Sequence, residues 1–428
     1  MSSHPALQDL LTFNSKLARL SMDKFPPLAV VRSQKFSSIC PSYLEYKLHS
    51  HSGEGRLVMC MSLTNKRIDS ISDEARHAIF QCFLCGGCDI SVKLHSDIET
   101  VAGMYALRAE SFRRAGPLPG HQKLLERLDE AGHVLPEEGR KGDWIREAGL
   151  EAGMNGATTL LFVGDRYALE ARHRKTLLNL VDLLQRAGVS FGLLGDDEPS
   201  TGRVALDIGD EERFDRQAQR VAEAIRSSGA QTVLCADALD FNTLRAHAPK
   251  VVELGDVQVV HAVELLDQLV AEQKLVPRQQ LAARVAYHDP DTLGRLSEPF
   301  QAWNGQIRKV MGQLITYDPP RHVNRGTHGV YDPPRRLLSA IPGVELVELQ
   351  RRREYAFSCG DQGVLSAAGY AEFVRNTALH RMEEALEVGA EVVASTCPSS
   401  EDNLAAVAQD FSIRIENVIN LLHASLAS

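Results

Sequence analysis

The sequence predicts an α/β protein: a helical N-terminal part carrying a cysteine cluster, then two tandem doubly wound α/β lobes. Three observations lead there. Beyond about residue 155, short apolar runs alternate with helical patterns, the signature of strand–helix–strand units on a parallel sheet. That alternation occurs twice. Three of the eight cysteines, Cys82, Cys85 and Cys88, instead fall in a helical stretch near the N-terminus. A length of 428 residues, at about 150 residues per domain, suits two or three such units. With 44% hydrophobic and 24% charged residues, the chain has the composition of a globular protein with ample core.

Residues 5–22 place Leu7, Leu10, Leu11, Phe13, Leu17 and Leu20 at helical spacing and predict a packing helix. Residues 26–60 read as irregular and contain Cys40-Pro41. Residues 72–81 read as a helix leading into the cysteine triplet, and a helical stretch follows to about 133. The polar run 134–145 reads as a loop and closes a first unit, 1–145. In the first lobe (155–278), strands are expected at 158–163, 189–194 and 232–235, with helices at 168–187 and about 211–228. In the second lobe (279–428), strands are expected at 283–287, 344–348 and 392–395, with helices around 334–340 and about 363–388. YDPPR occurs at 317–321 and again at 331–335. Proline pairs break helices and fix turns, so about 296–330 reads as an insertion. His322 and His328 within it read as loop residues rather than metal ligands.

Composition removes several function classes. Lys plus Arg is 47 and Asp plus Glu is 56, a net charge of −9; nucleic-acid and anionic-membrane surfaces need clustered basic residues instead. No run approaches the roughly 18 apolar residues of a membrane-spanning helix. Asp9, Lys16, Arg19, Asp23 and Lys24 interrupt the N-terminus, which is not the pattern of a secretory signal. A cytoplasmic protein is expected, with peripheral association on the inner face of a membrane as the alternative. Eight cysteines are too sparse for a disulfide scaffold.

Thiolates are soft ligands, and Cys82-x-x-Cys85-x-x-Cys88 can wrap one face of an iron–sulfur cube. The fourth ligand must come from elsewhere. In bacterial two-cluster ferredoxins the cysteine before a proline in one motif ligates the other motif's cluster, and Cys40 precedes Pro41. Counting back from Cys40 by the ferredoxin spacing meets Phe36, Ser33 and Val30; counting forward from Cys88 meets Val92. One ligand set, Cys40, Cys82, Cys85 and Cys88, is complete, and the other holds no cysteine. One [4Fe–4S] cluster is expected, with structural zinc on the same four thiolates as the alternative. No Walker lysine pattern, no G-x-G-x-x-G after the first strand and no fixed catalytic triad is found, so no catalytic residue is assigned. His261 and His288 read as structural.

CPSYLEY (40–46), GEGR (53–56) and CFLCGGC (82–88) resemble the ferredoxin-like part of the iron–sulfur subunits of glycolate and lactate oxidation complexes. Anaerobic glycerol-3-phosphate dehydrogenase and heterodisulfide reductase have similar subunits. In that family two cysteine-rich domains, called CCG domains, follow. YHDPDTLGR (287–295), PPRRLLSAIPGVELVEL (333–349), SCGDQG (358–363) and STCPSSEDNL (395–404) resemble the second. LFVGD (161–165), LLGDDEPSTG (193–202) and ADALDFNTL (236–244) resemble the first less closely. The departures carry as much information. At the family's cysteine positions the first lobe has Asp165, Ser200, Thr201, Asp237 and Asp240, and the second has Asp291, Ser358, Cys359, Cys397 and Ser400.

The resemblance implies an electron-transfer subunit of a multi-subunit oxidoreductase, relaying electrons through one [4Fe–4S] cluster to or from a flavoprotein partner. The loss of CCG cysteines argues against disulfide reduction and makes the lobes scaffold. Two alternatives stand: a structural or assembly subunit whose lobes dock partners, and a heterodisulfide-reductase-like enzyme with a repurposed metal site. For the latter, Asp291, Cys359 and Cys397 offer zinc donors, and Asp165, Asp237 and Asp240 would suit a hard divalent ion. Cys60 and Cys235 read as bystanders.

Overall fold

The computed structural model describes residues 39–93, 98–310, 314–360 and 363–426. The helix expected at 5–22 and the positions Val30, Ser33 and Phe36 lie outside these. The N-terminal part is helical: α1 (Pro41–Tyr46), α2 (Gly53–Thr64), α3 (Asp73–Phe80), α4 (Gly87–Lys93), α5 (Thr100–Ala115), α6 (Pro119–Ala131) and α7 (Asp143–Glu147). Two of these lie where 26–60 reads as irregular. Pro41 opens α1, where its missing N–H costs nothing. Ser52 caps α2 by accepting a hydrogen bond from the Gly55 N–H. Gly53 and Gly55 lower the helix propensity of that segment; the cap and packing against α5 override it.

The first lobe holds β1 (Thr159–Phe162), α8 (Asp165–Leu169), α9 (Arg174–Arg186), α10 (Arg203–Ile208), α11 (Glu211–Ser228), β2 (Thr232–Cys235), α12 (Ala238–Asn242), β3 (Gln258–His261) and α13 (Ala262–Ala271). Its sheet is parallel in the order β1-β2-β3. The strand expected at 189–194 does not form. Gly192 makes a single parallel bridge to Leu160, and Leu193 turns to pair with Gly153 instead. A Cβ on Gly192 would lie 2.6 Å from the Met154 Cα, so the 153–154 segment takes the space a longer ladder would need.

The second lobe holds β4 (Ala283–Tyr287), β5 (Gln306–Val310), β6 (Leu314–Asp318), α14 (Asp332–Ala340), β7 (Val344–Val347), α15 (Val364–Ala367), α16 (Ala371–Glu387), β8 (Val392–Ser395), α17 (Pro398–Ala408), β9 (Arg414–Asn417) and α18 (Val418–Ser425). Its parallel sheet runs β7-β4-β8-β9, and β5 and β6 form a separate antiparallel hairpin within the insertion. The single helix expected over 363–388 is broken at Gly369, whose φ is +93°. One hydrophobic core runs through both lobes, from Leu160 and Leu234 to Val285 and Val392, and helices α9 and α18 pack across their junction. The chain is an α/β protein, and no described helix is long and apolar enough to cross a membrane. The carboxyl ends of β1, β2, β4 and β8 lead into Asp165, Asp237, Asp291 and Cys397, where parallel sheets ordinarily place their sites.

Candidate cluster-binding site

The triplet loop leaves α3, and Leu84 (φ +55°) and Gly86 (φ +76°) take left-handed conformations that coil it. Cys40 enters from the cap of α1. Cys40, Cys82, Cys85 and Cys88 all line one cavity, closed by Gly53 and Met104. A Cβ on Gly53 would stand 2.8 Å from the Cys88 Cβ and 3.3 Å from its Sγ, so α2 approaches the nest only because residue 53 is glycine. Burial pushes the Cys85 thiol up to about 12 against the pull of Arg295. Burial and then the Asp89 carboxylate push Cys88 up, and burial raises Cys40 against Arg56. Such thiols ionise only for a cation that replaces their protons.

Among the described residues, no three of the four sulfurs lie within 4.8 Å of one another. Tetrahedral zinc, with Zn–S near 2.3 Å, draws its sulfurs to about 3.8 Å apart. Four thiols on one cavity are donors for a soft metal centre, an iron–sulfur core or zinc.

The first-lobe positions do converge. Asp240 accepts a hydrogen bond from the Thr201 hydroxyl at 2.7 Å, and Asp237 caps α12 through the Leu239 N–H at 2.9 Å. Burial, then Asp237 and Asp165, push the Asp240 carboxyl well up. Glu198, which sequence reasoning passed over, accepts from the Val163 and Gly164 N–H groups at 2.9 and 2.7 Å. The group among these carboxylates is an ammonium: Lys141, from the loop before α7, pairs with Asp165. Burial opposes its charge, but Asp165 and Glu198 raise its pKa. At Asp165, one of the three carboxylates expected to suit a hard ion, a cation of the chain already stands.

In the second lobe, the Arg295 guanidinium pairs with Asp291, and its Nε donates to the Cys85 carbonyl. Cys359 and Cys397 both hydrogen-bond to Ser400, and burial pushes each thiol up to about 12. Ser358 hydrogen-bonds to Asp291. Asp291, Cys359 and Cys397 do not bring their donor atoms within 4.8 Å of one another, and Arg295 takes the carboxylate. A cavity of about 40 Å³ is lined both by Phe83 and Leu84 of the triplet loop and by Asp291, Cys359 and Ser400. His261 caps α13 and His288 accepts from Arg381 at 3.0 Å; both are structural. Cys60 and Cys235 are fully buried.

Three ligating atoms within 4.8 Å do meet at Glu170, His173 and Asp402, across the lobe junction. Arg166 and Arg172 pair with both carboxylates there, at 2.8–3.2 Å, which makes the group an ionic latch. Burial alone would depress His173, but hydrogen bonds to Asp402 and Glu170 raise it from 6.5 to about 9. The protonated ring's contribution is complete below pH 6.5 and is lost as pH rises through about 9. His173→Gln is expected to cost about 2–3 kcal/mol at pH 6 and much less at pH 10, measured by urea unfolding at both. A pH-independent cost would refute the latch.

The family described as Cysteine-rich domain, CCG, matches residues 315–401. The "Probable iron-sulfur-binding oxidoreductase FadF" of Bacillus subtilis is 30% identical over 240 residues, 56% of this chain and 29% of that protein. A subunit of the dihydromethanophenazine:CoB–CoM heterodisulfide reductase of Methanosarcina acetivorans is 28% identical over 368 residues, 83% of this chain and 79% of that one. The "EtfAB:quinone oxidoreductase" of Syntrophomonas wolfei is 24% identical over 353 residues, 75% of this chain and 42% of the relative. The chain thus spans under half the length of two of these three relatives. With the α/β lobes and the cysteine nest, these likenesses support a kinship with iron–sulfur subunits that carry CCG cysteine-rich domains.

Proposed function

We propose that the chain is an electron-transfer subunit that holds one [4Fe–4S] cluster on Cys40, Cys82, Cys85 and Cys88 and exchanges electrons with a flavoprotein partner. The observation that carries this is the single cavity lined by all four thiols, in a chain similar to iron–sulfur oxidoreductase subunits. The cluster would supply one-electron chemistry. The chain's own part is to surround it with apolar side chains such as Met104 and Leu84 and to hold the triplet loop in place. The same reading divides the chain at 1–145, 155–278 and 279–428, with the insertion at about 296–330, and treats both lobes as scaffold. A cytoplasmic or inner-face location follows from such a partner.

Anaerobic purification with iron and sulfide analysis and EPR tests the proposal. About four irons per chain are expected, and Cys40→Ala is expected to lose the EPR signal and most of the iron. Roughly eight irons, or unchanged iron in Cys40→Ala, would overturn it. One feature favours docking as a second role: β5 is exposed along its whole length, with Ile307 and Val310 open to solvent. A cluster that no physiological donor reduces would favour a docking subunit over a relay.

A further inference from the structure

Among the described residues, two buried cations beside the nest have no counter-ion. Arg56 and Arg108 are each 1% exposed. Arg56 donates to the Ala78 carbonyl at 2.8 Å, the Ser42 hydroxyl at 2.8 Å and the Gln81 carbonyl at 2.6 Å. Arg108 donates to the carbonyls of Phe80, Cys82 and Asp207. Every one of these acceptors is neutral. The Asp207 carboxylate goes instead to Arg203, at 2.8 Å. The nest's other cations are already neutralised: Lys93 pairs with Glu99 at 2.6 Å and Arg295 with Asp291.

An unpaired guanidinium out of water costs several kcal/mol, and two helices of this chain each aim one at the same small loop. Both hold carbonyls of the segment that runs into the triplet, Gln81 and Cys82. Both also face its sulfurs: Arg56 acts on Cys40 and Cys82 acts on Arg108. While the thiols keep their protons, the Asp207 carboxylate acts on Arg108 only from its pairing with Arg203, and among the described residues no carboxylate bonds either guanidinium. Four thiolates around an iron–sulfur core carry net negative charge, and one more when an electron arrives.

We propose that Arg56 and Arg108 are the fixed counter-charge of the four-cysteine nest and set the potential at which it accepts an electron. The inference rests on the cluster reading above and adds to it two positioning residues. A permanent positive charge in a low-dielectric site favours the more negative, reduced form. The remainder of the cost is met by the neutral carbonyls, which keep each guanidinium where the sulfurs feel it.

The test uses the full chain, purified anaerobically, with Arg56→Gln, Arg56→Lys, Arg108→Gln and Arg108→Lys. Iron and sulfide per chain and an EPR-monitored redox titration are the readouts. Each glutamine variant is expected to keep its iron and to lower the reduced-to-oxidised ratio at a fixed poise about tenfold, 59 mV for one electron. Each lysine variant, which keeps charge but not the fork, is expected to stay near the wild-type potential. Loss of iron in the glutamine variants alone would support the proposal as a condition of assembly. An unchanged potential in the glutamine variants overturns it, as does an equal shift or equal iron loss with glutamine and lysine. A wild-type chain without iron would sink the cluster reading itself, whereas a loaded chain whose potential ignores these charges sinks only this inference.

Discussion

Replacing Lys141 with methionine is expected to destabilise the chain by about 3–5 kcal/mol. The side chain is 9% exposed, and its ammonium pairs with Asp165 beside Glu198 and Asp240. Methionine has nearly the same length, so it fills the space without the charge. What remains is a set of buried carboxylates without that ammonium, and desolvation already pushes Asp237 and Asp240 up. They would have to take up protons, so the defect should be largest at high pH and shrink toward acid. Urea unfolding of the full chain at pH 5.5 and 8 measures this. The double variant Lys141→Met/Asp165→Asn should be less destabilised than the sum of the two single variants, because the partners are coupled. A single variant that unfolds like the parent at pH 8 would show that Lys141 is a bystander.

That residue also shows where sequence reasoning stops. The run 134–145 is polar and reads as a boundary loop, yet Lys141 from it enters the first lobe's pocket. Nothing local announces this, because the carboxylates it meets lie on segments far apart in the chain. The same holds for Arg56, Arg108 and Arg295, each of which also holds a backbone carbonyl near the triplet that only tertiary packing brings to it. Arg56 had one signal, its place in GEGR, but spacing assigns no role to a lone arginine. The cysteine nest was legible because ligand geometry is written in the x-x spacing itself.

Strands divided by the same logic. TVLC and VVAS form over the residues where continuous apolar runs put them, because both are central and buried on both faces. QVVH and RIEN are sheet-edge strands, half exposed and partly polar, and their residues carry no periodic signal strong enough to read. VSFGLL has the composition of a strand and lost its ladder to the segment around Gly153.

Glu384→Gln is expected to be as damaging as the loss of Lys141, again about 3–5 kcal/mol. Glu384 is fully buried and pairs with two guanidiniums, Arg351 and Arg381. Arg351 lies 3.9 Å from the Phe357 ring centroid, and Arg381 donates to His288 at 3.0 Å. Glutamine preserves shape and removes only the charge, so the cost would be that of two buried guanidiniums losing this carboxylate rather than of a cavity. These groups adjoin the second-lobe pocket: the field of Arg381 reaches both Asp291 and Cys359. Loosening them should open that pocket locally before the chain unfolds. Thiol labelling under native conditions reads this opening, since Cys359 and Cys397 are 4% and 0% exposed and should react slowly in the parent. In Glu384→Gln their labelling should accelerate at least tenfold, with Cys60 in α2 unchanged as the internal control. Equal acceleration at all three thiols would mean global unfolding, and no acceleration at any would show that Glu384 does not hold the pocket shut.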